Sequence, residues 1–102
     1  MKVSSRVFPF ERSIVINSLY DTIDELGLIL EDSDGTYGSL TVCDEVNTGR
    51  MRIKLDAAED DSQTRVAIIP DNAEGEGWDS FCSAIFDELS ATIRRACNLR
   101  EV

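Results

Sequence analysis

The period of the hydrophobic pattern changes twice along this chain, and this change constrains the fold more than any other feature. Between residues 28 and 70, apolar residues recur at every second position in four successive segments, as in β-strands that bury one face. Turn sequences that are typical of hairpins, such as Asp34-Gly35 and Asn47-Thr48-Gly49, separate some of these segments. We therefore predict an antiparallel meander of four strands. Its inward residues are Leu28, Leu30, Leu40, Val42, Met51, Ile53, Leu55, Thr64, Val66 and Ile68.

Helical spacing replaces the alternation on both sides of the meander. Apolar residues at intervals of three and four predict a first helix. Ser13 is its expected N-cap, Leu26 belongs to its apolar stripe and Gly27 is the expected left-handed residue at its end. A second, longer helix is predicted over residues 78–98. A short strand over residues 3–8, closed by a proline, precedes the first helix.

The predicted element order is β-α-β-β-β-β-α, in a single domain over residues 1–102. If the first crossover is right-handed, the first strand lies beside the fifth, and the sheet order is 1-5-4-3-2. The two helices are the elements available to cover the apolar face of the sheet, so the predicted fold class is a two-layer α+β sandwich. This element order resembles the TATA-binding-protein-like fold and a shortened helix-grip fold. Both resemblances imply a long C-terminal helix that crosses a curved sheet.

Composition argues against several classes of protein. The 102 residues carry ten Lys and Arg against twenty Asp and Glu, a formal charge of −10, and 42% of them are hydrophobic. Such a chain is too apolar for disorder and too acidic for direct nucleic-acid binding, which needs cations to neutralise phosphates. No apolar run is long enough to span a membrane, and the N-terminus does not resemble a signal peptide. We expect a cytoplasmic protein without membrane contact.

No residue pattern predicts catalysis, a cofactor or a metal site. The chain has no His, which removes the commonest general base near neutral pH and the imidazole metal ligand. Cys43, Cys82 and Cys97 have no C-x-x-C spacing and are expected to be reduced thiols that pack as small hydrophobes. The segment from Asp32 begins like a calcium loop, but its sixth and twelfth positions hold Tyr37 and Cys43 instead of Gly and Glu. We therefore predict that the protein is not an enzyme.

Four cations stand out against the acidic background, on two neighbouring strands of the predicted meander. Three of them alternate with inward apolar residues and therefore point to the opposite face of the sheet. Such a basic stripe can receive a carboxylate, a phosphate or an acidic partner. The interpretation that the pattern favours is cross-strand pairing with Asp56 and other acids, because antiparallel sheets commonly leave one face solvated. The four cations are Arg50, Arg52, Lys54 and Arg65.

A second candidate site lies between the long helix and the sheet. The resemblance to the helix-grip fold implies that Trp78, Phe81, Ile85 and Leu89 line a groove for a small apolar ligand. At helical spacing, such a stripe is more often an ordinary core. A chain of 102 residues also has little volume to spare for a pocket of about 300 Å³ or more.

These features predict a small non-catalytic binding or regulatory module that acts through a sheet face, an exposed strand edge or the helix–sheet groove. The edge strand over residues 28–32 carries Glu31 and Asp32, and it would serve self-association if those charges find partners. Two alternatives stay open. One is an acidic partner-binding protein that resembles secretion-type chaperones or nucleic-acid mimics in charge and size, although the chaperones' helix between strands is missing here. The other is a minimal helix-grip carrier of a small apolar ligand.

Overall fold

A computed structural model describes residues 3–34, 38–44, 50–60, 62–70 and 78–100. Its elements follow the predicted order, β-α-β-β-β-β-α. They are β1 (Ser4–Phe8), α1 (Arg12–Glu25), β2 (Leu28–Asp34), β3 (Ser39–Asp44), β4 (Arg50–Ala57), β5 (Thr64–Pro70) and α2 (Trp78–Arg100). Residue 35 of the first predicted turn and residues 47–49 of the second lie outside the described residues.

The five strands form one antiparallel sheet in the predicted order, β1-β5-β4-β3-β2. In the central strand β4, Ile53 lies opposite Leu40 of β3 and Ile68 of β5. All three side chains are fully buried, because residues at the same level of neighbouring strands point to the same face. β1 and β2 are the two edges, and α1 connects them across the inner face of the sheet.

Both helices pack on one face of the sheet, which confirms the two-layer α+β sandwich. α1 contributes Val15, Leu19 and Ile23 to the core, and β4 contributes alternate residues such as Met51 and Leu55. The intervening residues of β4 are exposed. The buried residues of α2 that join this core are Cys82, Ile85, Phe86, Leu89 and Ile93.

The start of α1 differs from the prediction. The helix begins at Arg12, with Glu11 in the N-cap position, so the assignment of Ser13 as N-cap is wrong. The carbonyl of Glu11 accepts the amide of Val15 at 3.2 Å, which places Ser13 within the first turn. A preferred capping residue therefore lies two positions inside the helix, because the tertiary fold sets the boundary and overrides the local preference.

Two leucines that were predicted to face the core are exposed. Leu26 is 39% exposed because it follows the last residue of α1, just before Gly27 turns the chain with a φ of +72°, as predicted. Leu30 is 40% exposed because it lies on β2, an edge strand with a neighbour on one side only. A β-bulge between Leu30 and Asp32 also shifts the register there.

The longest element, α2, ends at Arg100, two residues beyond the predicted end at Asn98. Within the described residues, no helix combines the length and the apolarity that a membrane span requires.

Candidate functional site

The two helices described here lie on the inner face of the sheet, and the opposite face carries neither of them; we call this second face the open face. Its residues follow from the strand register, since side chains at the same level point the same way. It comprises Ser5 and Val7 of β1, Arg65, Ala67 and Ile69 of β5, Arg50, Arg52, Lys54 and Asp56 of β4, Ser39, Thr41 and Cys43 of β3, and Ile29, Asp32 and Asp34 of β2.

Three of the four predicted cations form a row at the centre of the open face. We call Arg52, Lys54 and Arg65 the basic row. Arg52 and Lys54 are two residues apart on β4, which separates their Cα atoms by roughly 6.6 Å. Arg65 is the register partner of Asp56 on the neighbouring strand and therefore lies diagonally from Lys54, roughly 7–8 Å away. All three cations are exposed.

The fourth cation, Arg50, has a partner on its own chain. Its Nε lies 2.8 Å from Oε1 of Glu31, an ion pair that reaches across β3 to the edge strand. Arg6 and Arg95 also pair with carboxylates. Among the described residues, by contrast, no carboxylate oxygen lies within 4.0 Å of a side-chain nitrogen of the basic row. Of the four cations, Arg50 therefore makes the ion pair with a described carboxylate that the favoured interpretation, cross-strand pairing, predicts, and the other three do not.

A row of carboxylates borders the open face along β2. We call Glu31, Asp32 and Asp34 the acidic row. The bulge inserts one residue into β2, so the row places three carboxylates within four residues. Asp32 is the register partner of Thr41, which is in turn the partner of Arg52, so the three residues lie at the same level of the sheet. Sequence alternation alone does not predict this row, because the bulge interrupts the alternation.

The predicted groove residues take different positions. Ile85 and Leu89 are 1% and 0% exposed and belong to the packed core. Phe81 is half-buried against the same core, and the side chain of Trp78 lies outside the described residues. The small-ligand carrier and the acidic mimic both stay predictions.

A polar cleft of about 360 Å³ opens at the start of α1, beside the β4–β5 hairpin. The buried hydroxyl of Thr64 at this cleft already donates a hydrogen bond to the carbonyl of Phe10 at 2.8 Å. No local sequence signal indicates the cleft, because it joins residues about fifty positions apart. Its lining residues are Glu11, Arg12, Ser13, Ala57, Gln63 and Thr64.

Within the described residues, no cluster of three Asp, Glu or Cys side chains is placed to bind a metal ion. In the acidic turn between β4 and β5, the carboxylate of Asp60 accepts hydrogen bonds from the amide of Ser62, at 2.8 Å, and from its hydroxyl. Cys82 is buried as predicted, Cys43 is half-buried on the open face, and the side chain of Cys97 lies outside the described residues.

Comparison with known proteins gives no family assignment. No protein-family model matches the chain, and no curated protein matches it significantly. The charge arrangement of the open face is therefore the basis on which a function is proposed.

Proposed function

We propose that this chain is a small non-catalytic protein-interaction module whose open face receives carboxylates of an acidic partner protein. One observation carries the proposal. In a chain with twice as many acids as bases, three exposed cations lie together on a helix-free face and make no ion pair with a described carboxylate. Exposed cations that are held side by side on a rigid strand provide a preorganised site for anions.

The spacing of the cations favours an extended protein segment as the ligand. Arg52 and Lys54 repeat every second residue, and so do the side chains on one face of an extended chain. Acidic residues at alternate positions of such a segment would therefore meet the cations in sequence. Ala67 and Ile69, half-buried beside the basic row, offer apolar contact area. The nearby acidic row and the charge of −10 disfavour a nucleic acid, whose phosphates are a continuous polyanion.

A labelled peptide tests this proposal directly. Fluorescence anisotropy would follow binding of a fluorescein-tagged peptide of four Glu-Thr repeats, with a Gln-Thr peptide of equal length for comparison. We expect saturable binding of the acidic peptide, and we expect Arg52→Glu to weaken it about tenfold or more, because a lost charge pair and a new repulsion exceed about 1.4 kcal/mol.

The matched control is Arg94→Glu, which makes the same change in net charge at an exposed cation of α2, away from the open face. We expect this variant to bind the acidic peptide as the wild type does. Equal weakening by Arg52→Glu and Arg94→Glu, or no preference for the acidic peptide, would contradict the proposal.

A further inference from the structure

We infer that a second copy of this chain is one such acidic partner: two open faces stack about a twofold axis, so that Arg52 of each copy lies over Asp32 of the other and Lys54 lies at the level of Asp34. The inference rests on the proposed function, since it names the source of the carboxylates. It follows from the levels at which the strand register places the charges.

The charges of β4 and β2 stand at matching levels on either side of β3. Arg52 is the register partner of Thr41, which is the partner of Asp32. Lys54 is the register partner of Ser39, which is the partner of Asp34. Each cation is therefore level with a carboxylate two strands away, at roughly 9.6 Å across the sheet. Within one copy, the side chains of Arg52 and Asp32 do not come within 4.0 Å of each other.

A twofold axis that runs along β3 between two stacked sheets makes these levels complementary. Such a rotation preserves the level along the strand and exchanges left for right, so β4 of one copy lies over β2 of the other. Arg52 then faces Asp32 of the second copy, and Lys54 faces Asp34 of the second copy, each twice by symmetry. An axis across the strands would instead stack β4 on β4 and bring cation against cation, which is repulsive.

The strand on the axis allows the close approach. The residues that β3 presents there are Ser39, Thr41 and Cys43, none of them long, which suits the spacing of roughly 10 Å between packed sheets. The overlap covers β2, β3 and β4, a footprint of roughly 14 Å by 20 Å, on the order of 300 Å² per copy. Stable specific interfaces bury about 800 Å² per partner, so we expect a weak, reversible dimer that depends on its charge pairs.

Charge reversal in trans is the sharpest test. Sedimentation equilibrium would compare the wild type with Arg52→Asp and Asp32→Arg, from micromolar to millimolar protein at about 0.15 M salt, where charges more than about 8 Å apart are largely screened. We expect the wild type to dimerise and each variant alone to dimerise at least about tenfold more weakly, because like charges then face each other. An equimolar mixture of the two variants should regain the dimer, since the carboxylate introduced in one faces the guanidinium introduced in the other.

Asp32→Arg separates this geometry from an effect of net charge. The substitution makes the protein less acidic, so a dimer limited by overall repulsion would become tighter, whereas the stacked open faces require it to become weaker. Arg94→Asp is the control for Arg52→Asp and should dimerise like the wild type. A wild type that stays monomeric at millimolar concentration, or a mixture no more dimeric than its components, would overturn the inference. If the acidic peptide still bound in that case, the proposed function would stand.

Cross-linking supplies a second measurement. The proposed axis brings Cys43 of the two copies together, so a bismaleimide with a reach of about 10 Å, the spacing of packed sheets, should link them into covalent dimers. Cys43→Ser should abolish this product. Cross-linking of equal yield in Cys43→Ser would count against the stacked arrangement.

Discussion

At the scale of single residues, the backbone leaves no room for a side chain at Gly38, immediately before β3. Its φ is +66°, and its carbonyl accepts the amide of Leu55 at 2.8 Å. A Cβ atom added there would lie 2.8 Å from the carbonyl oxygen of Leu55. A side chain at this position thus meets both an unfavourable backbone conformation and a backbone atom that is held in the sheet.

We predict that Gly38→Ala lowers the free energy of unfolding by about 3 kcal/mol. The control is Gly27→Ala, where φ is +72° but nothing lies within 4 Å of the added Cβ. Only the conformational penalty remains there, about 1 kcal/mol. Urea denaturation of both variants measures the difference, and equal losses would show that the contact with Leu55 is unimportant.

The turn between β4 and β5 contains a titratable group with a defined hydrogen-bonded environment. The hydroxyl of Ser62, and then its amide, donate hydrogen bonds to the carboxylate of Asp60, which lowers the pKa of Asp60 below its ordinary value of 3.8. Because the folded-state pKa is the lower one, this carboxylate contributes stability above the unfolded-state value, and the contribution is lost as pH falls through the folded-state pKa.

We predict that Ser62→Ala raises the pKa of Asp60 towards 3.8, because it removes the hydroxyl donor and leaves the amide. An NMR titration of the Asp60 carboxyl carbon from about pH 2 to 5 would measure the change. Ser62→Thr keeps a hydroxyl and should preserve the lowered pKa. An unchanged pKa in Ser62→Ala would assign the effect to the amide alone.

At the scale of elements, two buried threonines join the helices. The hydroxyl oxygens of Thr22 in α1 and Thr92 in α2 lie 3.3 Å apart. The single hydroxyl proton of Thr22 is shared between Thr92 and the carbonyl of Ser18, which lies at 2.8 Å, and Thr92 donates its own proton to the carbonyl of Glu88 at 2.9 Å. Each hydroxyl therefore has a second partner on its own helix. The Nη2 of Arg95 adds a contact to Thr92 at 3.2 Å.

We predict that Thr22→Val and Thr92→Val each destabilise the protein by about 1 kcal/mol, and that the double variant loses less than the sum. The first substitution already removes the polar contact between the helices, so the second substitution removes only the hydrogen bond within its own helix. Chemical denaturation of all four proteins of the cycle gives the coupling energy. Strictly additive losses would mean that the hydroxyls act independently.

The burial of strand residues shows where the alternation of apolar and polar residues predicts exposure and where it does not. The alternation of Met51, Ile53 and Leu55 predicts β4 and its buried face correctly, because a central strand with neighbours on both sides buries every second residue. The same alternation fails at Leu30, because an edge strand with a bulge has neither the cover nor the register of a central one. Exposure thus depends on position in the sheet as well as on periodicity.

At the scale of the whole molecule, the net charge is negative, whereas the charge at the centre of the open face is positive. The charge of −10 is that of an acidic protein, yet the open face carries a basic row beside an acidic one. Interactions between exposed charges fall off within about 8 Å at physiological salt, so a partner in contact responds to the rows and much less to the total. The proposed interaction surface is therefore a property of strand register and cannot be read from composition.

The sequence by itself determined the element order, the inward residues of the central strands and the position of Arg52, Lys54 and Arg65 opposite the core. Side-chain alternation is a local property of the extended chain, which is why it could be predicted. Even the sheet order was predicted correctly, on the assumption that the first crossover is right-handed.

Only the tertiary structure decided which charges meet. Arg50 pairs with Glu31 two strands away, whereas Arg65 does not pair with its direct register neighbour Asp56. The bulge at Glu31 shifts the pairing of β2, and the cleft at the start of α1 joins residues that are far apart in the chain; no local pattern encodes either feature. The physical reason is that ion pairs and clefts depend on distances of a few ångströms between separate elements, and these distances exist only after the elements have packed.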